Sequence, residues 1–410
     1  MQRHLCSKIL KAMTDQYTLL YPASVDWANF QNAKPLQPFA DEVIEYLNAL
    51  SAALLKERTS RLYPDVVTFA FFCRKANLLK QKELYVKDDV VRLGRGTLFH
   101  IAPSNVPINF AYSLVAGMLA GNYNIVRVSS KDFPQVDLVI KVMHTLLADY
   151  PKVAKSIALV RYDRTSDATA FFSSFAACRV IWGGDATIAN IRKNEIPPRS
   201  FDICFADRYS IAAINPEAIL AKTDAEMKKL AENFYNDTYL FDQNACSAPH
   251  LIFWLNKGDV QEAKEKFWTA VHEYVSVKYN LQAVLSVDKL TAFYRQAACM
   301  DSKIEPMPDN YIMRADLASV PKNIDAFRCA GGYFSEKTID TLDEIAPIIS
   351  NKYQTLAYYG IDKSELQEFV LRSRLTGLDR IVPFGETTAF ALTWDGYNLI
   401  DTMSRVCSVL

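Results

Sequence analysis

The sequence carries no excess charge of either sign. Lys and Arg together number 46, as do Asp and Glu, so the formal net charge is zero. A broad electrostatic footprint for nucleic acid is therefore not expected. Cysteine is sparse, with eight in 410 residues and no CxxC pair. That irregular set excludes a disulfide scaffold and a structural zinc site, and it points to free thiols in a reducing compartment. Long hydrophobic runs are also missing. The most apolar stretches, 67–73 and 110–121, fall well short of the ~20 residues that a bilayer span needs. Residues 1–17 show no apolar h-region and no small-residue cleavage site, so no signal peptide is expected. Internal repeats and low-complexity segments are absent. So are a Ser nucleophile elbow, a Walker A loop, an HExxH motif, a paired-carboxylate signature and a full GxGxxG. The expectation is a cytoplasmic chain with no membrane span and no bound metal.

Half of the residues are hydrophobic and 22% are charged, enough apolar material for two or three domains with large cores. Apolar residues at helical spacing predict helices over 39–57 and 65–80. From about residue 97 short β-branched and aromatic runs alternate with helical stretches. Strands are expected over 98–102, 124–129, 156–162, 178–183 and 202–207. This alternation indicates parallel βαβ units and a doubly wound sheet, which binds ligands at the C-terminal ends of its strands. A second block starts near 215 with a long helix over 215–237. The strand "LIFWL" (251–255) follows, then polar loops around 300–322, a return through "YQTLAYYGI" (353–361) and a last helix. The expected divisions are 1–212, 213–376 and 377–410. The fold class expected is α/β, with a doubly wound cofactor-binding domain and an α/β domain carrying a thiol.

Four short stretches carry possible chemistry. In "HIAPSNVPINFA" (100–111) a strand enters a loop stiffened by Pro103 and Pro107. Asn105 between them either donates to a developing oxyanion or makes a plain turn. In "GNYNIVRVSSKD" (121–132), Arg127, Ser129, Ser130 and Lys131 follow a strand. They suit the ribose and phosphate of a nucleotide, or a solvated loop. In "WGGDATIANI" (182–191), Gly183 and Gly184 allow close backbone approach and Asp185 is the expected N-cap of a helix. A simple turn is the alternative. In "FDQNACSAPH" (241–250), Cys246 stands at a polar junction before an apolar run. It is either a core cysteine at a strand entrance or a thiol whose surroundings make it reactive. His250 looks like a base but belongs to the following strand, and nothing ties His100 or His272 to the thiol. The other seven cysteines read as structural or incidental.

Taken in order, "HIAPSNVP", "NIVRVSS", "DQNACSAP" and "RIVPFGETTAFALTWDGYNLI" resemble the aldehyde dehydrogenase superfamily, and more closely the LuxC-type acyl-CoA reductases of fatty acid reductase complexes. The resemblance spans about residues 90–410. It implies an aldehyde dehydrogenase-like fold, with Cys246 as catalytic thiol and Asn105 as oxyanion amide. Arg127, Ser129, Ser130 and Lys131 would hold the adenosine ribose, and Gly183, Gly184 and Asp185 the pyrophosphate side. Glu344 in "DEIAPI" would meet the nicotinamide ribose. Ser130 stands where NAD-preferring members carry a glutamate, which tilts the expectation to NADPH. Where hydrolytic relatives carry a base in an "ELGGK"-like stretch, this chain has "FADRYS" (205–210) with no glutamate.

The function these features imply is NADPH-dependent reduction of an acyl thioester to the aldehyde through an acyl-Cys246 intermediate. The acyl donor would be a fatty acyl-CoA or a group loaded by an acyl-protein synthetase-type partner, and the enzyme would be a homo-oligomer. The alternatives are a short-chain acylating aldehyde dehydrogenase, a cofactor-free acyltransferase using Cys246 as a relay, and a non-catalytic subunit that kept the fold.

Overall fold

The computed structural model describes residues 16–87 and 90–409. Cys6 and the stretch read for a signal peptide up to residue 15 lie outside them. Two compact units are present: one holds the chain up to Ala206 together with Tyr397 onward, the other is Asp207–Gly396.

In the first unit the strands are β1 (Thr18–Tyr21), β2 (Arg92–Gly94), β3 (Thr97–Ile101), β4 (Tyr123–Arg127), β5 (Ile157–Arg161), β6 (Cys178–Trp182) and β7 (Phe201–Phe205). Six of them form a sheet in the order β1-β5-β4-β3-β6-β7. β3 to β7 run parallel, and β1 adds to β5 antiparallel. β3 and β6 are buried along their whole length, as expected for a parallel sheet covered by helices on both faces. The chain leaves β3 for β4 and β5 on one side and returns to β6 and β7 on the other. The switch point between β3 and β6 opens a crevice at their C-terminal ends, where doubly wound sheets bind ligands. β2 pairs antiparallel with Ser404–Val406, tying the C-terminal segment to this unit. The five predicted strands are all present, within a residue or two of their expected ends.

The second unit is built on β8 (Tyr209–Ile214), β9 (Pro249–Leu255), β10 (Ser302–Glu305), β11 (Met313–Leu317), β12 (Tyr333–Ile339), β13 (Tyr353–Tyr359) and β14 (Arg380–Pro383). Their order is β10-β11-β12-β9-β8-β13-β14, parallel except for the antiparallel edge strand β10. β9, wholly buried, is central. One core layer packs Phe234, Phe267, Trp268 and Phe334 against the sheet, and a second packs Leu251, Phe253, Leu356 and Phe369. Within the first layer sits a buried charge. Glu336 is fully buried and accepts from the indole N–H of Trp254 (3.2 Å) and of Trp268 (2.6 Å), and from Nε (3.1 Å) and Nη2 (2.7 Å) of Arg314.

After β14 an irregular segment is clamped from both polarities. The buried Asp237 carboxylate accepts from the backbone N–H of Gly385 (2.6 Å) and Thr387 (3.0 Å) and from the Thr387 hydroxyl (2.9 Å). Arg380 donates to the carbonyls of Thr387, Glu386 and Ala389 while its guanidinium stacks over Trp394.

Several elements differ from expectation. The helix expected over 215–237 is two, Pro216–Leu220 and Asp224–Thr238, because Thr223 and Glu226 form a reciprocal capping box that starts a new helix. The helix over 65–80 likewise splits into Pro64–Phe72 and Lys75–Tyr85. The segment 300–322, read as loops, holds β10 and β11. The run "YSIAAI", which spans the division drawn at 212, is the wholly buried β8.

Candidate active site

In the first unit the three sequence-selected stretches meet at the C-terminal edge of the sheet. The loop after β3 carries Asn105, exposed, and Ala102 N–H donates to the Arg127 carbonyl across to β4. His100, one residue from the end of β3, is fully buried. Its ring bonds the Ser113 hydroxyl (2.8 Å) and the Asn124 amide oxygen (3.1 Å), a pattern satisfied by the Nε2–H tautomer. Burial pushes its pKa down to about 4, so it is a neutral core histidine.

Arg127 ends β4. It donates through Nη2 to the Tyr162 carbonyl (3.2 Å) and lies over the Tyr162 ring, while its Nε is buried with no acceptor among the described residues. Arg161 donates through Nε to the Ser129 carbonyl (3.1 Å), and its buried Nη2 has no acceptor there either. The Ser129 hydroxyl accepts from Lys131 N–H (3.1 Å) and is buried, whereas the side chains of Ser130 and Lys131 are exposed. Two buried guanidinium donors without acceptors, beside an exposed lysine, fit an anion at this edge.

After β6, Gly183 N–H bonds the Phe205 carbonyl (3.1 Å), and a Cβ at Gly183 would press on Thr187 at 3.1 Å. The N-cap of the Asp185–Ile191 helix is Gly184, not Asp185. The strand-to-helix turn is completed one residue early, which places Asp185 in the first turn, where its charge favours the helix dipole.

In the second unit Cys246 lies just before β9, at the N-terminal edge of the sheet, half-buried and unpaired. Its carbonyl accepts from the Ser210 hydroxyl (2.7 Å), which in turn accepts from Thr355 N–H. Burial pushes the thiol above its usual range. The Arg208 backbone N–H and the Arg328 charge oppose that shift, and Asp207 and Asp395 add to it. The polar junction therefore does not make a resting thiolate. Both oxygens of Asp207 accept from Nη2 of Arg328 (2.8 and 2.9 Å), and Asp395 accepts from the Gln354 amide (2.6 Å). These charged neighbours come from distant parts of the chain and carry no local sequence signal. His250 stacks on Tyr209 inside the sheet, and burial pushes its pKa down to about 3. His272 pairs with Asp309. No hydrogen bond joins either ring to Cys246 among the described residues. Glu344 caps the turn Leu342–Ile348 by accepting from Asp340 and Thr341 N–H, so its carboxylate is engaged locally.

The seven described cysteines are free, and among the described residues no cluster of His, Cys, Asp or Glu is arranged to hold a metal. No helix among them is long and apolar enough to cross a membrane.

The fold class is that of aldehyde dehydrogenases. Lactaldehyde dehydrogenase from Escherichia coli superposes with a TM-score of 0.62 at 12% identity, covering 92% of this chain and 87% of that one. A 1-pyrroline-5-carboxylate dehydrogenase from Thermus thermophilus gives 0.64 at 13% identity, covering 92% and 80%. A family model described as acyl-CoA reductase (LuxC) matches residues 76–406, and the chain belongs to that family. Among curated proteins it is similar to a long-chain acyl-protein thioester reductase of Vibrio harveyi, 23% identical over 322 residues, and to one of Photorhabdus laumondii, 22% identical over 320. In both cases 76% of this chain is covered, and the chain spans 62% of the relative's length.

Proposed function

We propose that this chain is an enzyme that reduces an acyl thioester to the aldehyde with NADPH, through a thioester on Cys246. The observation that carries the reading is a half-buried thiol, fixed at the N-terminal edge of a central strand, in a chain of the acyl-CoA reductase family. The Cys246 thiol gives up its proton as its sulfur adds to the acyl carbonyl, and that proton leaves with the donor thiol. The proposed role of Asn105 is amide donation to the oxyanion that forms, together with the Cys246 N–H. Losing one such donor typically costs ~3 kcal/mol of barrier. The chain has no glutamate in 205–210 to activate water, which leaves the acyl group available for reduction.

The unit-one edge suits a dinucleotide. Arg127, Arg161 and Lys131 offer cationic donors, Ser129 and Ser130 hydroxyls, and Gly183 and Gly184 room for a backbone approach. A bound nicotinamide would supply the hydride. Ser130 in place of a carboxylate, next to Lys131, favours a 2′-phosphate and hence NADPH. The local engagement of Glu344 weakens its assignment to the nicotinamide ribose. As aldehyde forms, Cys246 departs as thiolate. We extend the reading to a long-chain acyl donor, as CoA ester or delivered by an acyl-protein synthetase-type partner, and to a cytoplasmic homo-oligomer.

The test is intact-mass spectrometry after mixing with acyl-CoAs of graded length, with and without NADPH, beside Cys246→Ala. An adduct on the wild type alone, discharged as aldehyde by NADPH, is the expected result. An adduct indifferent to NADPH would make the chain an acyl relay. No adduct from any donor, a partner-activated one included, would overturn the mechanism.

A further inference from the structure

The loop that carries Cys246 makes an unusual turn. Asp242 and Gln243 are consecutive non-glycine residues with φ of 52° and 60°, in the left-handed region that side chains other than Gly, Asn and Asp rarely enter. Such backbone persists only where its surroundings over-determine it.

The Gln243 side chain is what fixes it. It is 1% exposed and all of its hydrogen-bonding capacity is used. Oε1 accepts from the N–H of Gly332 (2.9 Å) and Tyr333 (3.2 Å), and Nε2 donates to the carbonyls of Pro249 (3.0 Å) and Tyr333 (3.0 Å). One carboxamide thus bridges the first residue of β12 to the first residue of β9, on either side of the loop that ends in the thiol. The backbone adds to the same fastening. Gln243 N–H bonds the Thr238 carbonyl (2.8 Å), Gly331 N–H bonds the Asp242 carbonyl (3.1 Å), and Tyr279 OH holds the Asp242 carboxylate (2.8 Å). Gly332 has φ of 90°, and a Cβ there would lie 2.4 Å from the Tyr311 carbonyl oxygen, so only glycine lets this backbone meet the Gln243 amide.

We propose that Gln243 is the positioning residue of the thiol loop: its buried carboxamide locks Cys246 to the start of β12 and holds the thiol where it can add to an acyl group. The inference rests on the reading of Cys246 as the acylated thiol. A loop free to unwind from its left-handed turn would let water reach the thiol and take it out of register with the acyl carbonyl. Two reactions should then move in opposite directions. Alkylation by a small, undemanding reagent gains from hydration, whereas acylation by a bulky thioester loses from misplacement.

The experiment compares wild type, Gln243→Met and Gln243→Glu. Cys246 alkylation by iodoacetamide is followed by mass spectrometry across pH 6–10, and acylation by acyl-CoA by intact mass. Circular dichroism and thermal unfolding report folding. Gln243→Met, which removes all four bonds at similar volume, is expected to slow acylation at least tenfold while its alkylation profile moves to lower pH. Gln243→Glu keeps the acceptor side of the lock and should fall between. A folded Gln243→Met whose alkylation profile stays in place or moves to higher pH overturns the proposal. If that variant does not fold, the profile of Gln243→Glu decides by the same criterion. If wild type accepts no acyl group from any donor, the functional reading fails, and the alkylation profile still decides whether Gln243 positions the thiol.

Discussion

Removing the Glu336 carboxylate tests how much of the second unit hangs on one buried charge. Glu336→Leu strips the acceptor from Arg314, itself 5% exposed, and from two indole N–H groups. Breaking a buried ion pair by deleting one partner costs about 3–5 kcal/mol. Each indole donor left unsatisfied adds ~1–3 kcal/mol, less than additively. A loss of at least ~4 kcal/mol is therefore expected, against a total stability of roughly 5–15 kcal/mol for a domain. At ~2–4 °C per kcal/mol for a unit of this size, the unfolding midpoint should fall by about 8–16 °C or more. The double variant Arg314→Met with Glu336→Gln removes both charges and keeps an amide oxygen facing the indoles. It should return to within ~1.5 kcal/mol of wild type, so the two sites couple strongly in a double-mutant cycle. Calorimetric or circular-dichroism melts of wild type, Glu336→Leu, Glu336→Gln, Arg314→Met and the double variant make the measurement. A Glu336→Leu midpoint within about 2 °C of wild type would refute the reasoning, since even ~1 kcal/mol moves it that far.

Further outcomes are expected. Because burial raises the Cys246 thiol above its ordinary value, its alkylation rate should keep climbing with pH from 7 through 9, following the thiolate fraction; a plateau near pH 7.5 would contradict the structure. Burial lifts the Asp237 pKa from 3.8 to about 6. A raised folded-state pKa contributes stability that is fully present below the unfolded value and is lost as pH rises through the folded one, so Asp237 accounts for ~3 kcal/mol that fades between about pH 4 and 6. Melts of Asp237→Asn over that range should lack this component. Lys131→Ala should raise the KM for NADPH several-fold and leave that for NADH nearly unchanged, and equal shifts for both would remove Lys131 from 2′-phosphate recognition.

Local pattern was enough to read the parallel strands of the first unit. β3 to β7 are short, almost wholly apolar runs set apart by helices, and a parallel sheet buried on both faces leaves that imprint. β8 escaped because only three residues separate "YSIAAI" from β7, with no helix between to announce a new strand. The break before Asp224 had a local signal, Thr223 with Glu226 three residues on, which helical periodicity averaged over. The Cys246 stretch stood out by its composition, but the state of the thiol depends on Asp207, Arg328 and Asp395. Gln243 reaches partners 90 residues away. Such contacts exist only once the sheet has assembled, and a linear reading could see the amide only as one more polar neighbour.

The segment after β14 carries a last consequence. Two of its amides are held by Asp237 and three of its carbonyls by Arg380, so a stretch without regular structure has much of its backbone fixed by two side chains. In hydrogen exchange, Gly385 and Thr387 should be protected like sheet amides and should open together, because one carboxylate guards both. For anyone inserting a tag or shortening a loop, this is an irregular stretch of the second unit whose length cannot be changed without cost.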